Sequence, residues 1–160
     1  LAVVMSVGVA SAQNYMVIDS EKVFKSVEAY NDALEQIEKL ATEYQTAVDN
    51  KFAEVESLYN TYMQQRASLS QNSQQQYEQL ILQKEAEATE YQESLFGTEG
   101  ELMKKRLELI QPIQKRVFEA IDKYAQQKGY DMVIDISQNA TMLYYSERAD
   151  HTDEIIATLK

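Results

Sequence analysis

The chain has no cysteine and no tryptophan, one histidine, one proline and four glycines in 160 residues. Without cysteine there is no disulfide framework, thiolate metal ligand or thiol nucleophile, and the chain is compatible with an oxidising compartment. The one histidine, His151, sits in a polar turn ahead of the last helical segment, with no nucleophile beside it to activate. Metal sites need clustered His, Cys or carboxylate ligands, and the acidic residues here are spread at helix-surface spacing. No glycine-rich loop could cradle a phosphate. These absences give a protein that is not an enzyme and needs no cofactor or metal. Positive charge is also scarce: 15 Lys and Arg stand against 26 Asp and Glu, a net charge of -11. That balance disfavours nucleic acid or anionic lipid as the main partner.

Turn residues are missing where they matter most. From about Ser26 to Lys128 there is no proline before Pro112 and no glycine before Gly97 and Gly100, so this stretch is predicted to be almost all helix. Steps of four and three put Tyr30, Leu34, Ile37, Ala41, Tyr44, Val48, Val55, Leu58, Tyr62 and Leu69 on one line. A second line runs through Tyr77, Ile81, Ala88, Tyr91, Leu95, Leu102 and Leu109. A repeat of about 3.5 residues is a coiled-coil seam. Between the two lines, Ala67 to Gln74 collects capping and turn residues, which predicts an antiparallel hairpin with its tip at Ser70 to Asn72. Folding there sets Tyr62 near Ile81, Val48 near Leu95 and Leu34 near Leu109. A continuous rod dimerising in parallel is the alternative, but it would not require the two seams to match. Gly97 and Gly100 then fall inside the returning helix, with polar Thr98 on the seam, and predict a hinge.

The ends differ in character. Residues 1–12 are an apolar run closing in Ala10-Ser11-Ala12, which reads as the remainder of a Sec-type signal peptide and predicts export. Tyr15 to Asp19, Asp131 to Ile136 and Thr141 to Ser146 read as short strands. Ser20 and Thr152 are the expected caps of the helices that follow them. At Pro112 the apolar phase slips to Ile110, Ile113, Val117, Ile121 and Tyr124, so the helix meets a new partner there, and Gly129 stops it. Asn139-Ala140-Thr141, a glycosylation acceptor pattern, is read as turn chemistry. The organisation expected is a signal remnant (1–12), a body from 13–28 and 110–160, and a helical arm over 29–109. The fold class is α+β: a long antiparallel helical-hairpin (coiled-coil) arm plus a small β-rich body completed by self-association. A body of about 60 residues makes only a marginal core, and its strands are apolar on both faces. Met16, Ile18, Met132, Val133, Ile134 and Leu143 are therefore the candidate oligomer interface.

The ends also carry a pattern. Met16-Val-Ile-Asp-Ser-Glu-Lys-Val-Phe24, Gln111-Pro-Ile113 within a long helix, Lys128-Gly-Tyr-Asp-Met-Val-Ile-Asp135, a hydrophobic strand before a polar turn, and Thr152-Asp-Glu-Ile-Ile156 occur in that order. In type and sequence they resemble the Skp/OmpH family of periplasmic chaperones over essentially the whole mature chain. The resemblance implies a jellyfish-shaped homotrimer with a β-rich body. Its three arms would enclose a cavity that holds unfolded outer-membrane proteins without ATP, in the periplasm. The departure is charge. Familiar members are strongly basic on the arms, whereas this chain has a pI near 4.5, and Arg66 is the one charge between Gln64 and Gln76.

Three functions compete on this reading. The first is a holdase chaperone. The second is a structural or adaptor coiled-coil protein of the envelope that binds one folded partner. The third is a polyanion or lipopolysaccharide binder using the basic run 104–128, with contact to anionic membrane left open; residues 102–128 carry seven cations against three carboxylates, and the plainer reading of that run is a solvated helix face. An adaptor should gather off-seam apolar residues into one patch, and a holdase should spread them along the arm. Phe52, Tyr59, Met63, Leu82, Phe96 and Met103 are spread along both helices. Heptad positions b and e put them on one flank, the candidate client-binding face.

Overall fold

The computed structural model describes residues 14–138 and 141–160. The signal-peptide reading of 1–12, and the Asn139-Ala140 part of the turn, lie outside the described residues. The elements run β1 (Tyr15–Ile18), α1 (Ser20–Lys25), α2 (Glu28–Gln65), α3 (Gln71–Phe96), α4 (Glu101–Lys128), β2 (Met132–Asp135) and α5 (Thr152–Leu159), with single 3₁₀ turns at Arg66–Ser68 and Glu147–Ala149. The chain divides into two compact units. One joins the residues up to Tyr30 with Pro112–Lys160, and the other is Asn31–Gln111.

In the first unit β1 and β2 form a two-stranded parallel sheet in the register Tyr15↔Met132 to Ile18↔Asp135. One face of β1 sends Met16 and Ile18 into a core with Val23 and Val27, with Val117, Ile121 and Ala125 of α4, and with Ile155 and Leu159 of α5. The α4 residues recur every four positions, so one stripe of that helix faces the sheet. Val117 and Ile121 belong to the shifted phase after Pro112, and α4 itself continues through the proline without a break. At its far end Gly129 adopts φ +72°. The Tyr130 N–H bonds to the Ala125 carbonyl at 2.9 Å and the Gly129 N–H to that of Gln126 at 3.3 Å, the paired bonds of a Schellman cap.

Three local expectations are corrected here. The Thr141 to Ser146 strand does not form; instead β1's free edge is bridged in parallel by Asp150, and the His151 N–H bonds to the Val17 carbonyl at 3.0 Å. The N-cap of α1 is Asp19, accepting from the Lys22 N–H, rather than Ser20. Thr152 does not cap its own helix. It is buried, accepts from the Asp19 N–H at 2.9 Å and donates to Asp150 at 2.5 Å, locking α5 to the end of β1.

In the second unit α2 and α3 run antiparallel. Tyr62 stacks on Tyr77 at 5.6 Å between ring centres and donates its hydroxyl to Glu78 at 2.6 Å. The Lys51 ammonium sits 5.1 Å over the Tyr91 ring, and Tyr44 meets Phe96 edge to face. Lys51 with Tyr91 falls within a residue of the expected register, whereas Tyr62 and Tyr44 find partners about one turn off, because long rings lean along the groove. Ile37, Val48, Tyr62, Ala88 and Leu95 are buried as the seam requires. At the base of α2 the seam moves by one position: Ala33 is buried and Leu34 is 42% exposed. The tip is Arg66 to Ser70, where Ser70 caps α3 by accepting from the Ser73 N–H.

The returning helix is not continuous. It ends at Phe96 and restarts at Glu101, with a turn closed by the Gly100 N–H to the Gly97 carbonyl at 2.9 Å. A Cβ at Gly97 would lie 2.5 Å from the Glu93 carbonyl oxygen, and one at Gly100 would lie 2.7 Å from that of Leu95. Both glycines are thus required by close backbone approach, and the glycines expected to lie inside one returning helix separate two helices.

Two outcomes follow. Gly129→Ala places a Cβ in open space and meets only the left-handed backbone cost, so urea unfolding should show a loss of about 1 kcal/mol; no loss would mean the cap does not hold that conformation. Asp135 ties β2 to α1, accepting from the Ser20 N–H at 3.1 Å, the Ser20 hydroxyl at 2.5 Å and the Ser137 N–H at 3.0 Å. Burial pushes its carboxyl up, but these hydrogen bonds outweigh burial and hold it below the usual Asp range. A depressed folded pKa gives stability that is present above the unfolded value, about 3.9, and is lost as pH falls through the folded one. Asp135→Asn should lower the melting temperature at neutral pH and make the acid transition shallower. An unchanged acid transition would remove Asp135 from that role.

Candidate functional site

The residues predicted to face clients all lie in the helical unit, on α2, α3 and the first turn of α4. Tyr59, Met63, Leu82, Phe96 and Met103 are exposed, between 36% for Phe96 and 65% for Leu82, and Phe52 is half-buried. Tyr59 and Met63 stand one turn apart on α2. Phe96 closes α3 with its ring on Tyr44, so it is partly seam. Sequence reasoning missed Leu80 and Leu107, both exposed. They sit off the seam, and the criterion that picked Leu82 and Met103 would have found them. Leu34 was missed because its heptad position assigned it to the core.

Beside this series runs a groove of about 940 Å³ along the outer face of α3, ending in the Gly97–Gly100 turn. Leu82 and Ala86 lie at one end, and Glu85, Glu90, Glu93 and Glu99 supply its charge. Residues 85–101 carry six carboxylates and no cation.

The second candidate surface is the other face of the sheet. Tyr15, Val17, Met132 and Ile134 line a cavity of about 350 Å³ together with Met142, Tyr144 and Tyr145. The expectation that no other part of the chain is free to cover this face is therefore corrected: the segment after β2 lies over it and leaves a gap. Leu143 is 95% exposed, and Tyr144 and Met132 are exposed with it. Of the six candidate interface residues, Met16 and Ile18 are buried in this chain's own core, and Val133 packs against that core. Ile134 and the partly exposed Met132 line the cavity, while Leu143 faces outward. Alternation along a strand sends neighbouring side chains to opposite faces, so a strand named whole as an interface divides between core and surface.

His151 is structural. Its Nε2 lies 2.7 Å from the Tyr130 hydroxyl, and its Nδ1 lies 3.2 Å from that of Tyr124 and 3.1 Å from Glu154. It joins the end of α4 to the start of α5. Burial raises the Tyr124 phenol, with Glu154 adding to the shift. Among the described residues no group of three or more His, Cys, Asp or Glu is placed to hold a metal, and no helix is long and apolar enough to cross a membrane. Of the seven cations of the 102–128 run, three pair within their own helix: Lys104 with Glu101, Lys105 with Glu108 and Lys115 with Glu119. Arg116 donates to the Leu159 carbonyl at 2.7 Å.

Residues 14–159 match the model of the family described as outer membrane protein (OmpH-like). The fold is similar to the crystal structure of a protein from Caulobacter crescentus CB15, provisionally assigned as an outer membrane chaperone (OmpH-like). The TM-score is 0.70, covering 93% of this chain and 85% of that one at 11% identity, a likeness of fold. No curated protein matches the chain.

Proposed function

The chain belongs to the OmpH-like family of outer membrane proteins, and from that premise we propose that it is an ATP-independent holdase of the periplasm. It keeps unfolded outer-membrane proteins from aggregating by holding them on its helical hairpins, three of which surround a cavity in a homotrimer. The observation that carries this reading is the series of exposed apolar side chains spaced along the helical unit beyond what its seam uses. Helices whose only task is to pack bury such residues or replace them with polar ones. A surface of Met, Leu and aromatic groups adapts to varied partners. The spread of the series over three helices supports a holdase over an adaptor, which needs a compact patch. The pairing of Lys104, Lys105 and Lys115 within their own helix removes part of the charge that a polyanion site on the 104–128 run would use.

Assembly is proposed through the outer face of the sheet. Met132, Leu143 and Tyr144 expose large apolar groups beside an incompletely filled cavity, and burying such area contributes roughly 25 cal/mol per Å². Leu143→Asp should lower the mass seen in analytical ultracentrifugation from trimer to monomer while helicity is kept, since Leu143 contributes nothing to its own chain's core. A trimer unaffected by this change would place the interface elsewhere.

For client holding, Tyr59→Ser, Met63→Ser, Leu82→Gln and Met103→Gln combined should leave circular dichroism and assembly mass intact. Suppression of aggregation of a urea-diluted outer-membrane β-barrel protein should fall several-fold. A variant that stays folded and protects fully would show that these residues do not touch clients. If the hairpin melts, they were packing residues.

A further inference from the structure

We propose that the α3 groove is a docking site for extended, cationic stretches of unfolded chains. This rests on the holdase reading and adds the chemistry of the segment held.

No Lys, Arg or His lines the groove, and among the described residues Glu85, Glu90 and Glu93 form no ion pair. The neighbouring cations are engaged elsewhere, Lys84 with Glu87 and Lys104 with Glu101. What remains is a concave anionic surface with an apolar end at Leu82 and Ala86. Dispersed carboxylates on successive turns, unsuited to a single metal ion, match charges that are themselves dispersed. The spacing fits an extended chain. Glu85 to Glu93 covers about 12 Å of helix at 1.5 Å per residue. Four residues of extended chain cover about 13 Å, so cations at alternate positions fall opposite the carboxylates. An apolar residue ahead of them reaches Leu82, whose side chain is 65% exposed. The Gly97–Gly100 turn ends the groove.

The test uses the full-length protein and two fluorescein-labelled peptides. One has Leu followed by three Lys at alternate positions separated by Ser, and the other has Glu in place of Lys. Fluorescence anisotropy should show at least tenfold tighter binding of the Lys peptide, weakening as salt rises. Glu85→Gln, Glu90→Gln and Glu93→Gln together should reduce that binding about tenfold, as expected for the loss of three surface ion pairs. The triple change Glu38→Gln, Glu43→Gln and Glu56→Gln on α2 alters net charge equally and should leave it within twofold. Equal losses from both triples would overturn the groove and assign binding to overall charge; so would equal affinity for the two peptides. The readouts separate the two proposals. Selective peptide binding without suppression of aggregation sinks the holdase and leaves the groove, and suppression without selective binding does the reverse.

Discussion

The parallel pairing of Tyr15–Ile18 with Met132–Asp135 joins strands 117 positions apart, and parallel strands can be joined only by a crossover. Here the crossover is everything from α1 to α4. The pairing closes only if the chain that leaves after β1 returns in register before β2, so α2 and the α3–α4 return must match in length as well as in seam. An insertion in one without a compensating change in the other would shift either the seam or the sheet by a residue, and a one-residue slip turns every side chain to the wrong face. The large loop-closure cost of such a long connection is offset because the connection folds on itself. Met16 and Val17, fully buried, mark where that closure is sealed.

How much of this is legible in the amino-acid sequence depends on the range of the interaction. The seam was, since a repeat of 3.5 carried over many turns has few other physical meanings, and Ile37, Val48, Tyr62, Ala88 and Leu95 are buried as it demands. The cap at Gly129 was too, because it rests on one residue's backbone freedom. What was not legible depends on geometry between distant residues. Thr141 to Ser146 has the composition of a strand, but β1's free edge is bridged by Asp150 instead, and composition does not reveal which segment reaches an edge first. Thr152 looks like a cap and serves as a tertiary clasp to Asp19, a relation across 133 positions. The glycine pair was visible as a weak point, but helix propensity alone does not reveal the full break between α3 and α4 or the close backbone approaches that require both glycines. Of the candidate site, the exposure of Tyr59, Met63, Leu82 and Met103 followed from their places off the seam. The groove did not, because it needs the break that ends α3 at Phe96.

Charge is distributed by the same logic. Lys22, Lys25, Lys39, Lys84, Lys104, Lys105 and Lys115 each pair with a carboxylate three or four positions away. Such exposed pairs contribute little stability, roughly 0–1 kcal/mol each, but they neutralise seven of the 15 cations locally. With 26 acidic residues against 15 basic ones, the remainder is carboxylate, concentrated where no cation lies between Glu85 and Glu101. The acidic character of the helical unit is therefore a property of particular faces, set by which carboxylates lack a neighbour at helical spacing.

A protein that holds unfolded chains without nucleotide must bind them tightly enough to prevent aggregation and loosely enough to let go. Fully burying one large apolar side chain contributes about 1.5–3 kcal/mol, and the exposed residues of the helical unit, already partly covered by their own helices, contribute less. Against each contact stands the cost of ordering a flexible client, about 0.5–1.5 kcal/mol per immobilised side chain. Any one contact is then close to neutral, and holding requires several at once. Under the proposed holdase function, that arithmetic favours apolar groups spread over α2, α3 and α4 over a single gathered patch. Contacts in series give a client many ways to remain attached while segments detach one at a time. A compact patch of the same total area would select one partner and keep it.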